Sequence, residues 1–306
     1  MKPKIFEIAI EQYKTIEASN YLGIFGHPIK HTLSPIIHDT ISEALGIDER
    51  YIAFDVEDNL DNRVRQAYDE GIVGLNITVP YKQEVMRSLV DIDAAAAAIG
   101  AVNTLVRVEG GYKGYNTDMP GLARAIESEG IYLNGKNIIM LGAGGAARAV
   151  AYMCMSYGAA KVYILNRTYE KAAGLADDMN HISEKIHDGE STKLFEALAA
   201  KDYKQVPNER YIFIQCTSVG LRENDGLPLV DDRAFYAMAE AGIDLIYNPA
   251  KTIFLKLMEE QGSMAVNGLK MLLYQGVMSY ELWNNVKVSD ELSNVVYKKL
   301  CEVFYG

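Results

Sequence analysis

The stretch Asn137-Ile138-Ile139-Met140-Leu141-Gly142-Ala143-Gly144-Gly145-Ala146-Ala147 decides the fold of this chain. An apolar, strand-like run ends in a glycine-rich turn, and a helix-like stretch follows. Gly142 permits the tight strand-to-helix turn, Gly144 lets backbone approach a pyrophosphate, and small Ala147 lets the new helix pack closely on its strand. With Ala143, Gly145 and Ala146 completing the loop, the anion would rest on free amides at a helix N-terminus. A second apolar run ends in Asn166-Arg167-Thr168, with Lys171 one helical turn on. An NAD site wants an acid there for the ribose 2′-hydroxyl. Neutral Asn166 followed by Arg167, Thr168 and Lys171 instead forms a pocket for a 2′-phosphate, which favours NADP. Cations at a helix start oppose its dipole, so they need such a reason. Alone, a glycine turn of this kind often only tightens a loop.

At 306 residues the chain has room for two ordinary domains, each with its own core. Hydrophobic residues at 49% and charged residues at 23% fit a soluble globular protein. The net charge of -11 argues against a general nucleic-acid surface, so an anionic ligand must be met by a few placed cations. Cys154, Cys216 and Cys301 form no C-x-x-C and imply neither a zinc ribbon nor a redox pair, which fits a reducing cytoplasm. Met1 to Asn20 has no uninterrupted apolar core of a signal peptide and reads as an amphipathic extension. No run approaches membrane-spanning length.

Short β-branched and aromatic runs alternate with helix-period segments, the pattern of a mostly parallel sheet covered by helices. Strands are expected at Tyr21–Phe25, Tyr51–Val56 and Val73–Thr78, with helices at Pro35–Leu45 and Asn59–Glu70 between them. The alanine run Ala94–Ala98, preceded by Asp91 and Asp93, reads as a short helix. Ala101–Val108 and Gly111–Asn116 read as a hairpin across Glu109-Gly110. Thr117 or Asp118 can cap a following helix with Pro120 in its first turn, which puts a domain boundary near Asp118. Tyr211–Cys216 and Asp244–Tyr247 look like further strands, and Asn180–Asn208 like surface helix and loop alone. From Gly268 the apolar residues Leu269, Leu272, Leu273 and Val277 keep a helical period.

Several polar clusters fall at strand ends, where an open α/β sheet presents its ligand site. Thr32 and Ser34 are two apart, so in an extended segment their hydroxyls share a side and suit a carboxylate. Ser34 before Pro35 is equally a good N-cap. His27, His31 and His38 lack metal-ligand spacing and read as hydrogen-bonding histidines, with no metal expected. Asn76 and Thr78 share a strand face, and Pro80 ends the strand and throws Lys82 beyond it. Asn103 is polar within an apolar strand and must find partners, either a ligand hydroxyl or a neighbouring loop. Asp118 is a cap or, converging with Lys82 on a cleft, half of an acid/base pair for a hydroxyl or ketone.

Taken in order from about Tyr21 to Gln275, these motifs resemble the shikimate dehydrogenase family. The resemblance implies two α/β domains: an N-terminal substrate-binding domain (1–118 plus 268–306) and a Rossmann-type NADP-binding domain (119–267), with the active site in the cleft between them. It implies reversible NADP(H)-dependent reduction of 3-dehydroshikimate to shikimate, a step of chorismate and aromatic amino acid biosynthesis, by a cytoplasmic monomer or homodimer. Lys82 and Asp118 match the catalytic pair, Thr32 and Ser34 the carboxylate site, and Asn76, Thr78 and Asn103 the substrate-hydroxyl contacts. Tyr247 and Gln275 match late substrate contacts. Gly142 to Ala147 and Asn166-Arg167-Thr168 match the cofactor site, continued by Thr217-Ser218-Val219 and by Gly268 and Met271. Met271 and Gln275 are four apart on one helix face. Thr32 departs from the family's serine and adds a methyl beside the carboxylate, which bears on substrate range. Quinate or dual quinate/shikimate oxidation is the nearest alternative, and a non-catalytic NADP-sensing protein is the alternative of another class.

Overall fold

The computed structural model describes residues 17–30, 32–186, 193–222 and 225–306. His31 and most of the expected N-terminal extension lie outside the described residues. The chain divides into two compact units, Met1–Gly121 with Leu272–Gly306, and Leu122–Met271.

The first unit opens with β1 (Asn20–Gly26), α1 (Ser34–Leu45), β2 (Glu49–Asp55), α2 (Leu60–Glu70) and β3 (Gly74–Ile77). β4 (Asp91–Ile92), α3 (Ala94–Ile99), β5 (Thr104–Val108), β6 (Gly111–Tyr115) and α4 (Asp118–Glu127) follow. Among the described residues its sheet runs β2-β1-β3-β5-β6-β4. β1 lies parallel to β2 and β3, while β5 is antiparallel to β3 and β6. The central strands are buried almost throughout, as parallel strands covered on both faces must be. Phe25, Phe54, Leu75, Ile77 and Tyr112 anchor the core on one face. The alanine run is a helix as expected, with the Asp93 carboxylate accepting from Ala95 N at 3.0 Å.

The second unit contains β7 (Asn137–Leu141), α5 (Gly145–Ser156), β8 (Lys161–Asn166), α6 (Tyr169–Ile186) and β9 (Phe195–Ala199). It continues with β10 (Tyr211–Gln215), α7 (Arg233–Tyr236), β11 (Ala239–Asp244), α8 (Ile253–Glu260) and β12 (Met264–Val266). The sheet is parallel throughout, in the order β12-β11-β10-β7-β8-β9. From β7 the chain builds outward through β8 and β9, then returns to the other side of β7 with β10. That reversal opens a ligand crevice at the carboxyl ends of β7 and β10. α9 (Leu269–Asn284) begins in this unit and continues into the first, where α10 (Asp290–Tyr305) follows.

Two expectations are corrected. Asn180–Asn208 carries an edge strand, β9, because both ends of the Asn180 amide bond the Phe195 backbone at 2.9 Å; residues 187–192 lie outside the described residues. The strand expected at Asp244–Tyr247 is instead Ala239–Asp244. Its sequence Ala-Glu-Ala-Gly has no β-branched signal, and Gly242 is there because Met258 packs where a Cβ would stand, 2.3 Å from Met258 Cγ. The division into units falls after Gly121 and after Met271, inside α4 and α9. Gly121 stays with the first unit because it packs directly on α9: a Cβ there would lie 2.7 Å from Gln275 N.

Gly74 meets the same kind of constraint. A Cβ would stand 2.2 Å from Trp283 Nε1, and that indole donates to Leu105 O at 2.8 Å. Gly74→Ala is expected to displace the indole and cost about 1 to 3 kcal/mol, the usual range for overpacking. An unchanged denaturant midpoint would contradict this.

Asp244 is fully buried at the end of β11. Its Oδ2 accepts from Thr252 Oγ1 at 2.6 Å and its Oδ1 from Ile246 N at 3.0 Å. Burial pushes the carboxyl up to about 6, against the opposing pull of these two bonds. The folded state therefore holds this proton more tightly than the unfolded chain. The associated stability is present below the unfolded value of 3.8 and lost as pH rises through about 6. Asp244→Asn cannot ionise, so its stability relative to wild type should rise between about pH 4 and pH 7, by at most about 3 kcal/mol. Urea unfolding at the two pH values measures it, and a pH-independent difference would refute the assignment.

Candidate active site

β3 ends at Ile77, and the chain then turns, with Tyr81 N bonded to Thr78 O at 2.9 Å. The turn is tied to the segment leading into β5 by Val102 N to Lys82 O at 2.8 Å. Lys82 Nζ meets Asp118 Oδ2 at 2.7 Å, the two side chains being 31% and 16% exposed. This pair is partly shielded yet open to a ligand. Neither Thr117 nor Asp118 caps α4. Asn116 does, its Oδ1 accepting from Asp118 N at 3.1 Å and Met119 N at 3.3 Å. With the cap supplied from upstream, the Asp118 carboxylate is left to Lys82 and to Asn103, whose Nδ2 donates to Asp118 Oδ1 at 2.9 Å. Sequence reasoning misses Asn116, although an Asn two residues before a helix start is an ordinary Asx-type cap.

Asn76 and Asn103 were expected to face substrate hydroxyls. Both are almost fully buried, and both amides are engaged by protein. Asn76 Oδ1 accepts from the Tyr51 phenol at 2.7 Å, and its Nδ2 lies 2.9 to 3.1 Å from Ser279 Oγ, Asn103 O and Thr104 Oγ1. Asn103 Oδ1 accepts from Thr117 N at 2.8 Å. Thr78 is half-buried just past β3. Gln275 is half-buried on α9, with Nε2 bonded to Leu272 O at 2.8 Å.

Thr32 and Ser34 come together, but not by strand alternation. Thr32 N closes a turn on Ile29 O, Leu33 is the N-cap of α1, and Ser34 is already helical. Thr32 Oγ1 then lies 3.2 Å from Ser34 Oγ and accepts from Ser34 N at 3.3 Å. Ser34 is not the cap. Below it, Tyr51 is fully buried, and burial raises its phenol well above the usual value although a hydrogen bond with Ser34 opposes this. The histidines separate. His38 stacks on Tyr51 at 4.1 Å, and burial pushes its imidazole down to about 3, so it is neutral. His27 Nδ1 pairs with Asp55 Oδ1 at 2.8 Å, with Glu57 nearby. His31 lies outside the described residues.

In the second unit the glycine turn has the geometry a phosphate needs. Gly142 has φ +109°, and a Cβ there would lie 2.8 Å from Thr217 Cγ2, so the turn after β7 and the loop after β10 touch. Around Gly144 and Gly145 a Cβ would meet nothing within 4 Å. Nothing in the protein's own packing demands those two glycines, whereas close approach of an anion does. In the first turn of α5 Ala147 N bonds Gly144 O at 3.0 Å, and Ala143, Gly144 and Gly145 are at least partly exposed, as is Ala146. Asn166 Nδ2 donates to Thr168 O at 2.9 Å, which shapes the end of β8. Arg167 and Lys171 are exposed, and neither is in an ion pair among the described residues. These residues fit a dinucleotide with a 2′-phosphate.

The loop Thr217-Ser218-Val219 is built around the buried Gln215 side chain, another residue that sequence reasoning misses. Gln215 Oε1 accepts from Thr217 N at 2.6 Å, and Nε2 donates to Val219 O at 2.8 Å. Gly268 packs on the chain leading to Tyr247, where a Cβ would stand 2.2 Å from Leu245 O. Tyr247 and Met271 are half-buried, and burial raises the Tyr247 phenol.

Residues 24–105 match the family model described as the shikimate dehydrogenase substrate binding domain, and residues 122–203 match the one described as shikimate / quinate 5-dehydrogenase. A shikimate dehydrogenase (NADP(+)) of Methanothermobacter thermautotrophicus is 39% identical over 267 residues, covering 85% of this chain and 89% of the relative. Shikimate 5-dehydrogenase of Listeria monocytogenes, solved with shikimate and NAD, has a TM-score of 0.81 at 29% identity, covering 92% of this chain and 96% of its own. Shikimate 5-dehydrogenase of Thermus thermophilus, solved with NADP(H) and shikimate, has a TM-score of 0.77 at 29% identity, covering 92% of this chain and 99% of its own. With both family models matched in order on two units of the expected architecture, the chain belongs to the shikimate dehydrogenase family.

Proposed function

We propose that this protein reversibly reduces the C3 ketone of 3-dehydroshikimate to the hydroxyl of shikimate with NADPH. The observation that carries the reading is the Lys82–Asp118 pair at 2.7 Å in the unit that contains the match to the substrate-binding family model. A placed ammonium beside a carboxylate is what proton transfer at a ketone oxygen requires. An intact pair also speaks against a protein that only senses NADP.

Thr32 and Ser34 take the substrate carboxylate. Thr78, Gln275 and Tyr247 serve the ring hydroxyls, and Asn76 and Asn103 reach one only by exchanging a bond they already hold. The amides of Ala143 to Ala146 receive the pyrophosphate. Arg167, Thr168 and Lys171 receive the 2′-phosphate beside Asn166, and the Thr217–Val219 loop, Gly268 and Met271 complete the cofactor site. Bound NADPH supplies the hydride to the ketone carbon. Lys82 gives its proton to the oxygen as the alkoxide develops, and Asp118 holds the ammonium in place. In the oxidising direction Lys82 receives that proton. A cytoplasmic location is supported by three free thiols, and the working form is a monomer or homodimer.

Initial rates with shikimate and with quinate, each with NADP and NAD, test the reading directly, and wide preference for quinate would replace it. Lys82→Ala should lower kcat by roughly two to four decades, the range for a general acid/base, with much less change in shikimate KM. A variant keeping most of its kcat would remove Lys82 from the chemistry.

Arg167→Ala should weaken NADP by about 1.5 to 3 kcal/mol, the worth of one hydrogen bond to a charged group, and leave NAD nearly untouched. Equal losses for both cofactors would show that Arg167 supports the fold instead.

A further inference from the structure

Behind the Lys82–Asp118 pair lies a triangle of buried hydroxyls from three separate elements: Thr104 on β5, Thr117 before α4 and Ser279 on α9. Their oxygens are 2.8 Å (Thr104 to Ser279), 3.1 Å (Thr104 to Thr117) and 3.1 Å (Thr117 to Ser279) apart. All three side chains are 2% exposed or less. A buried hydroxyl is costly unless bonded, so three in contact need an explanation.

The hydrogens can be assigned. Thr117 N can only donate, so its bond to Asn103 at 2.8 Å fixes Oδ1 at that end of the amide and turns Nδ2 toward Asp118. Ser279 Oγ gives its single proton to Gln275 O, one turn back on α9, at 2.9 Å. It therefore meets its other neighbours as an acceptor, taking Asn76 Nδ2 at 2.9 Å and a threonine hydroxyl. The two threonine protons are shared among Asn103 Oδ1, at 3.0 Å from Thr104 and 3.2 Å from Thr117, Ser279 Oγ, and the oxygen of the other threonine. Removing the Ser279 oxygen takes away one of these acceptors, deprives Asn76 Nδ2 of a partner, and leaves the threonines to share Asn103 Oδ1, which already accepts Thr117 N–H, and each other.

We infer that Ser279 and Thr104 are positioning residues for the proposed reaction, holding the Asn103 amide so that it aims the Asp118 carboxylate at Lys82. This rests on the functional reading above. It adds that α9 takes part in the chemistry through a hydroxyl that touches neither substrate nor cofactor. Ser279 also ties the Gln275 carbonyl, on the same helix, to Asn76 of β3 and Thr104 of β5.

The test is a double-mutant cycle on shikimate oxidation by NADP. Ser279→Ala is made in the wild type and in Lys82→Ala, and Thr104→Val and Thr104→Ser are made beside it. Ser279→Ala should lower kcat about tenfold, somewhat more than one neutral hydrogen bond is worth, with little change in NADP KM. In the Lys82→Ala background the same change should cost less than about twofold, because the group it positions is gone. Thr104→Ser, which keeps the hydroxyl, should stay within about threefold of wild type while Thr104→Val falls as Ser279→Ala does. Equal fold-losses in both backgrounds, or a serine variant as slow as the valine one, would reduce the cluster to structural support and overturn the inference. The Thr104 pair decides alone if Ser279→Ala does not fold. A wild type that fails to oxidise shikimate overturns the functional reading and this inference together, an outcome distinct from additivity in an active enzyme.

Discussion

The bond from Thr117 N to Asn103 Oδ1 is the constraint on which the arrangement of the first unit turns. A backbone amide has one hydrogen and cannot accept, so it dictates which end of the Asn103 side chain is which. Asn103 is itself held between strands, by Asn103 N to Tyr115 O at 3.0 Å and Ile77 N to Asn103 O at 2.8 Å. The register of β3, β5 and β6 is thus converted into the direction of one N–H pointing at one carboxylate oxygen. The low-dielectric surroundings strengthen each bond in the chain and penalise any that is left unmade.

The second unit solves a different problem by a different means. It must hold a polyanion on a protein of net charge -11, and local features rather than overall charge have to do so. The sheet order places the loops after β7 and β10 side by side, and the Gly142 turn is closed against Thr217. Backbone amides face outward from α5, while Arg167 and Lys171 stand exposed at the neighbouring strand end without an ion-pair partner among the described residues. Gln215 is the hidden part of this design. Its amide adds three contacts to the one the loop makes for itself, from Val219 N to Thr217 Oγ1.

What could be read from the sequence follows physical range. Elements set by neighbours in the chain were legible: the β5–β6 hairpin, the alanine helix with Asp93 at its start, and the glycine turn with its following helix. β9 and β11 were not, because their signals are long-range. β9 is held by an amide on α6, and β11 carries glycine where a methionine from α8 packs. The same division runs through the site. Lys82, Asp118, Thr32 and Ser34 are visible as polar residues at strand ends, whereas the Ser279 hydroxyl sits 175 positions from Thr104 in sequence and appears there as one polar residue on an apolar helix. Even where two residues do meet, the local reason differs from the one their spacing suggests. Ser34 has the sequence context of a cap and is a first-turn residue, and the cap of α4 comes from Asn116.

Substrate choice on the proposed reading follows from how the carboxylate site is tied to the rest. Ser34 is linked through the Tyr51 phenol to Asn76, and Asn76 to the hydroxyl cluster behind Asp118. The carboxylate end and the ketone end of a substrate are therefore held at a distance set by buried bonds, not by mobile surface side chains. Thr32 stands outside that chain, its hydroxyl bonded to the Ser34 side chain and amide, and it carries one methyl more than a serine would. A one-carbon change of that kind shifts discrimination by about 1 to 3 kcal/mol. It adjusts the ranking of closely related cyclic acids, while the spacing between Thr32-Ser34 and Lys82, fixed by Tyr51 and Asn76, decides which ring can bring its ketone to the lysine at all.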